Sequence, residues 1–195
     1  MVILDTSQNQ LNAKIIYYGP GLSGKTTCIQ HIGKVFSKSA QSSLVSFANI
    51  SGRTLYFDFL SLDAGYIKGY PIRFLIYSVP GQVFYEATRK LIISKVDGAV
   101  FVADAQKDRL EANLLAMQSL KHNLLTQKLE ITNIPFAIQY NKSDLPFLSD
   151  MNEMEDMINP MKSPSFLSCA LTGQGVLEAL KIVCLGILDR MDTYL

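Results

Sequence analysis

Cysteine is scarce in this chain of 195 residues: Cys28, Cys169 and Cys184 stand far apart, with no CxxC pair. Three scattered thiols exclude a disulfide framework and fit a reduced, cytoplasmic setting. Each is expected to behave as a small buried apolar side chain. Positive charge is not concentrated either. The formal net charge is +1 and no Lys/Arg block stands out, which argues against a nucleic-acid partner, because phosphate backbones need clustered cations. No apolar run approaches the roughly 18 residues of a spanning helix. Residues 1–14 are polar, without the apolar core of a signal peptide. Position 2 is not glycine, and the last four residues, Asp192 to Leu195, contain no cysteine for prenylation. The chain is therefore expected to lack a direct membrane anchor. Repeats, low-complexity tracts and linkers are also missing.

What remains is the composition of a globular protein, 48% hydrophobic and 18% charged. The length fits one domain over residues 1–195 and can bury a core without disulfide or metal staples. Strand and helix patterns alternate, which predicts a three-layer α/β fold with a mostly parallel central sheet and helices on both faces. The predicted strands are Ala13–Tyr18, a weak Leu44–Phe47, Thr54–Leu62, Ile72–Val79, Ala99–Ala103, Pro135–Tyr140 and Phe166–Cys169. The turn marked by Gly65, Gly69 and Pro71 should make the third and fourth antiparallel. Helices are predicted over Lys25–Ser37, Phe84–Ser94, Asp108–Gln127, Ser149–Ile158 and Val176–Met191. The last carries Leu177, Leu180, Val183, Cys184 and Ile187 on one stripe.

The segment Gly19-Pro20-Gly21-Leu22-Ser23-Gly24-Lys25-Thr26 matches GxxxxGK[ST] between a strand and a helix. Glycines let successive N–H groups turn toward a phosphate, and the helix N-terminus adds partial positive charge. Lys25 is placed for the β- and γ-phosphates and Thr26 for Mg²⁺. An ordinary glycine-rich turn would not need the lysine, the threonine and the flanking elements together. The nucleotide-binding set here is Gly19, Gly21, Leu22, Ser23, Gly24, Lys25, Thr26 and Thr27.

Asn141-Lys142-Ser143-Asp144 follows a strand and fits NKxD. The Asp144 carboxylate can accept from guanine N1–H and the exocyclic amine. Adenine offers neither donor there, so the carboxylate would be left unpaired. Asn141 can tie this loop to the phosphate loop, and the Lys142 stem can cover the base. Four residues alone would read as a surface turn; position after a strand, downstream of a phosphate loop, makes them a guanine signal. Cys169-Ala170-Leu171-Thr172-Gly173-Gln174-Gly175-Val176 resembles the SAxTGxGV loop of small GTPases, in which a backbone N–H, here near Ala170, meets the guanine carbonyl. Cys169 stands where serine is commoner.

On Tyr17–Leu22, Arg53–Phe59, Val79–Tyr85 and Gln139–Lys142, the chain resembles the MglA family of bacterial Ras-like GTPases, which govern cell polarity and gliding motility. The resemblance covers nearly the whole length. It implies binding of GTP or GDP with Mg²⁺, and slow hydrolysis of GTP in a switch cycle. Thr54 then looks like the first-switch threonine, which with Thr26 would ligate Mg²⁺. Arg53 looks like an intrinsic arginine finger and Gln82 like the glutamine that positions water; both are the catalytic candidates. The Gly81 N–H would sense the γ-phosphate. The implied partners are a roadblock-domain activating protein resembling MglB, and polarity or motility effectors, with recruitment to a cell pole through them. Phe84 and Tyr85 are candidate interface aromatics, Phe84 equally a core residue.

One departure stands out. The usual DxxG reads Ser78-Val79-Pro80-Gly81, with no carboxylate at position 78; the family also carries a small hydroxyl residue there. Asp58 on the neighbouring strand is a candidate substitute, against the simpler reading of a solvated strand residue. Two other functions stay open at this level: a GTP-dependent binding module that does not hydrolyse, and a P-loop ATPase or nucleoside kinase, against which the NKxD loop argues.

Overall fold

The computed structural model describes residues 3–5, 9–37, 42–46, 57–80 and 86–194. Its central strand is β2 (Gln10–Tyr18), after a short β1 (Ile3–Asp5) that pairs antiparallel with its start. The remaining strands are β3 (Ser42–Ser46), β4 (Asp58–Ile67), β5 (Tyr70–Ser78), β6 (Gly98–Asp104), β7 (Phe136–Asn141) and β8 (Ser165–Leu167). They form one eight-stranded sheet in the order β3-β4-β5-β2-β6-β7-β8. The run β5-β2-β6-β7-β8 is parallel throughout, and β3/β4 and β4/β5 are antiparallel.

Alternation along β2 decides which layer each residue joins. Ala13, Ile15 and Tyr17 lie in a core with helices α1 (Lys25–Ser37) and α5 (Val176–Tyr194). Ile16 and Tyr18 lie in a second core on the opposite face, with α2 (Glu86–Ile93), α3 (Leu110–Thr126) and α4 (Met151–Ile158). Strand β6 is buried along its whole length, as a parallel strand covered on both faces must be. The α5 stripe buries Leu180, Val183 and Ile187, while Leu177 and Cys184 are only partly covered; Cys28 and Cys169 are buried, and all three thiols are free.

The architecture is the expected three-layer α/β sandwich, and the differences are local. Strand β1 has no counterpart in the sequence reading, since three residues carry too little pattern. The third expected strand continues past Gly65 to Ile67, because Gly65 sits by a register shift between Asp63 and Tyr66 rather than at the turn. The turn itself is Lys68-Gly69, both at positive φ (47° and 87°), the combination that a tight two-residue hairpin favours. Pro71 is accommodated beside it, at the start of β5. Arg53, Thr54, Gly81, Gln82, Phe84 and Tyr85 lie outside the described residues.

Gly98 opens β6 directly under α5. A Cβ there would stand 2.6 Å from Val183 Cγ1, 3.0 Å from Ile187 Cδ1 and 3.2 Å from the Pro135 carbonyl oxygen. Gly98→Ala is expected to lower stability by about 1–3 kcal/mol, a fall of several degrees in Tm by thermal unfolding. An unchanged Tm would mean that α5 rides further from the sheet than this contact implies.

Candidate functional site

Parallel strands deliver their C-terminal ends to one edge of the sheet, and loops leaving that edge line the crevice that α/β folds use for ligands. Here β2, β6, β7 and β8 all end there. The loop after β2 runs from Gly19 to Gly24 into α1. Gly19 and Gly24 hold φ of 149° and 99°. A Cβ on Gly19 would overlap the Val102 carbonyl oxygen, and one on Gly24 would overlap the Asn141 side-chain amide. Both positions thus require glycine for space as well as for conformation. Leu22 adopts φ 66° with a fully formed side chain, 86% exposed.

Lys25 is buried on the first turn of α1 and donates to the carbonyls of Gly19 (2.9 Å) and Pro20 (2.6 Å). The loop therefore closes around its own ammonium group. Burial pulls the Lys25 pKa down to about 8, against the opposing fields of Cys28 and Asp58. Ser23 Oγ is buried without a hydrogen-bond partner among the described residues, an unmet polar group of the kind that a ligand oxygen satisfies. Thr26 is exposed and Thr27 half-buried at the helix start.

The carboxamide of Asn141 joins three loops. Its Nδ2 donates to the Ser23 carbonyl at 2.7 Å, and its Oδ1 accepts from the Ala170 N–H at 2.9 Å. Ser168 Oγ approaches the same oxygen at 3.5 Å. The contact with the phosphate loop expected from the sequence is present. Lys142 follows at φ 68°, and its ammonium reaches the Asp104 carboxylate at 2.6 Å. Asp144 is exposed two residues on. In the loop after β8 the backbone supplies the support: Cys169 N–H donates to Gln174 O (3.0 Å) and its carbonyl accepts from Gly173 N–H (2.8 Å). Ala170 is buried and Leu171 is exposed.

Asp58 is not a freely solvated strand residue. It stands half-buried at the head of β4, where Ser78 Oγ donates to its carboxylate at 2.9 Å and accepts from its backbone N–H at 2.7 Å. The neighbouring strand thus sets a carboxylate against the Ser78 hydroxyl, near enough to Lys25 to act on its charge. Glycine curvature, a helix start, a buried lysine and an orphaned hydroxyl fit a phosphate group. The oxygen donors Thr26 and Asp58 suit a hard cation such as Mg²⁺.

Sequence reading missed Asp104, Arg109 and Asn113, which brace this edge from behind. The available signal was a carboxylate terminating the wholly apolar run Ala99–Ala103.

Lys25 generates a pH prediction. Its proton is bound more weakly in the folded chain (about 8) than in the unfolded one, near 10.5. Below pH 8 both states carry the proton and burying the charge costs stability. Between pH 8 and 10.5 only the unfolded state keeps it, so stability recovers as pH rises. Lys25→Met is therefore expected to make nucleotide-stripped protein more stable at pH 7, by up to about 3 kcal/mol in denaturant unfolding. The advantage should fade through pH 8–10; a difference independent of pH would refute this origin.

No family model matches the chain. The chain is 44% identical over 191 residues to the mutual gliding-motility protein MglA of Myxococcus xanthus (strain DK1622), a match spanning 98% of both sequences. No helix among the described residues is long and apolar enough to cross a membrane. Identity at that level over nearly the whole of both sequences, with the phosphate-loop and NKxD segments at one edge of the sheet, settles the relationship: the chain belongs to the MglA family of bacterial Ras-like small GTPases.

Proposed function

We propose that the protein is a GTP-operated switch that binds GTP or GDP with Mg²⁺, hydrolyses GTP slowly, and controls polarity or motility effectors. The supporting observation is the Asn141 carboxamide, which holds the phosphate loop and the loop after β8 in one unit with Asp144 at its rim. Gly19 to Thr27 then receive the phosphates, while Asn141, Lys142 and Asp144, with the Cys169–Leu171 backbone, receive guanine. Thr26 and Thr54 hold Mg²⁺, with Asp58 in support from position 58 in place of a carboxylate at 78. Bound Mg²⁺ offsets the negative charge of the β- and γ-phosphate oxygens. Gln82 orients the attacking water, Gly81 N–H senses the γ-phosphate, and Arg53 neutralises charge developing on the phosphoryl oxygens. Because Arg53 and Gln82 sit on switch segments, turnover is slow until a partner fixes them. A roadblock-domain protein resembling MglB is the activating partner under this reading, and recruitment to a cell pole comes through such partners from the cytoplasm.

The Ser78–Asp58 pairing also favours a second reading, a GTP-dependent binding module without hydrolysis, since the metal support differs from the usual DxxG arrangement. Single-turnover phosphate release separates the two. Arg53→Ala is expected to cut release by roughly 10³-fold or more and Gln82→Ala comparably, with GTP affinity retained and ATP excluded. Release absent from the parent, even with a roadblock partner added, would favour the binding module; equal ATP affinity would sink the guanine reading.

Asp58→Ala should weaken Mg²⁺-dependent GTP binding by roughly tenfold. Titration of Mg²⁺ against bound fluorescent GTP checks this, and an unchanged affinity would remove Asp58 from the metal's support.

A further inference from the structure

Strand β6 is apolar from Ala99 to Ala103 and then ends in a carboxylate with no solvent exposure. Asp104 can sit there only with partners. Its Oδ2 receives the Lys142 ammonium at 2.6 Å and lies 3.5 Å from Arg109 Nε. Its Oδ1 accepts from the Gln106 N–H at 3.2 Å. Its backbone is locked as well. The Asp104 N–H donates to Asn113 Oδ1 (2.9 Å), and Asn113 Nδ2 donates back to the Asp104 carbonyl (2.8 Å). Arg109 extends this chain, since its NH2 group donates to the Gly21 carbonyl at 2.9 Å.

The far ends of these contacts share a property. Leu22 (φ 66°) and Lys142 (φ 68°) are both left-handed residues with side chains, a backbone state that L-residues avoid. Gly21 O belongs to the peptide that leads into Leu22, and Lys142 is itself the residue that Asp104 holds. Sparsely populated backbone states persist only where surroundings over-determine them. One buried anion reaches both of these, one directly and one through a guanidinium.

We propose that Asp104 is a positioning residue that couples the base-reading loop to the phosphate loop. Through Lys142 and through Arg109 it keeps both left-handed turns in their nucleotide-receiving form, and so sets how long a guanine nucleotide stays bound. The inference rests on the guanine-nucleotide reading above and names a regulator of its residence time. Asp104 touches no reacting atom. Arg109, with its side chain 31% exposed, is the relay.

Release of a fluorescent GDP analogue, chased with unlabelled GDP in the presence of Mg²⁺, tests this in the parent, Asp104→Asn, Arg109→Gln and the double variant. Asp104→Asn keeps the shape but removes the charge from beneath two cations. Release should accelerate roughly tenfold or more in Asp104→Asn and by a smaller factor in Arg109→Gln. The double variant should fall short of the product of the two single effects, because both break one chain of contacts. A parent that binds GDP tightly while release is unchanged in Asp104→Asn overturns the proposal alone. So do effects that multiply independently, which would mark Asp104 as a merely structural anion. If Asp104→Asn does not fold, Arg109→Gln carries the test, and unchanged release there overturns the coupling. A parent that binds no guanine nucleotide overturns the underlying reading, an outcome distinct from all of these.

Discussion

The side chain of Asn141 is buried at the end of β7, and both ends of its amide face other loops. An amide has two donors and a two-lone-pair acceptor in a plane, so it can donate to one backbone segment and accept from another at a fixed spacing, which a carboxylate, having no donor, could not. Here it joins the carbonyl of Ser23 to the N–H of Ala170, across loops that are more than a hundred residues apart in sequence. The crowding at Gly24 follows from the same contact, since the Asn141 amide occupies the space where a side chain would stand. The phosphate loop, the base loop and the loop after β8 are thus one rigid edge, not three neighbouring turns.

Behind that edge the two-faced sheet supplies the stiffness. Tyr17 faces α1 and α5, whereas Tyr18 faces the opposite layer, where its hydroxyl meets Ser119 Oγ at 2.8 Å and Asn123 Nδ2 at 3.3 Å on α3. The chain therefore enters Gly19 from a residue pair clamped in both cores. Burial also shapes the chemistry of what it encloses: the Cys28 thiol, behind Lys25, is pushed up to about 12 and stays an inert apolar filler.

Much of this was legible in the sequence because it depends on local rules. The glycines and Lys25 of the phosphate loop, the Asn141–Asp144 motif and the alternation of strands and helices each declare themselves over a few residues. The start of α1 at Lys25 and the antiparallel β4/β5 pair follow directly. What did not show was long-range or context-dependent. Asp104 and Arg109 are single charged residues whose meaning comes only from the register that sets Asp104 beside Asn141. Asp58 was visible in the sequence as a candidate beside Ser78, but the two hydrogen bonds that pair them needed the hairpin register. Gly65 read as a turn because a bulge glycine and a turn glycine look alike in one dimension.

The placement of β2 has a consequence for how the molecule comes into being. Its partners β5 and β6 arrive some fifty to ninety residues later in the chain, and the loop's own staple, Asn141, later still. The phosphate loop occupies the first quarter of the sequence, but the amide that ties it to the base loop is made in the third quarter, and the Ala170 N–H that fixes that amide in the last. Full support of the loop therefore waits on the making and docking of residues far downstream of it. A chain cut before Asn141 would display the motif without the amide that holds it against the base loop.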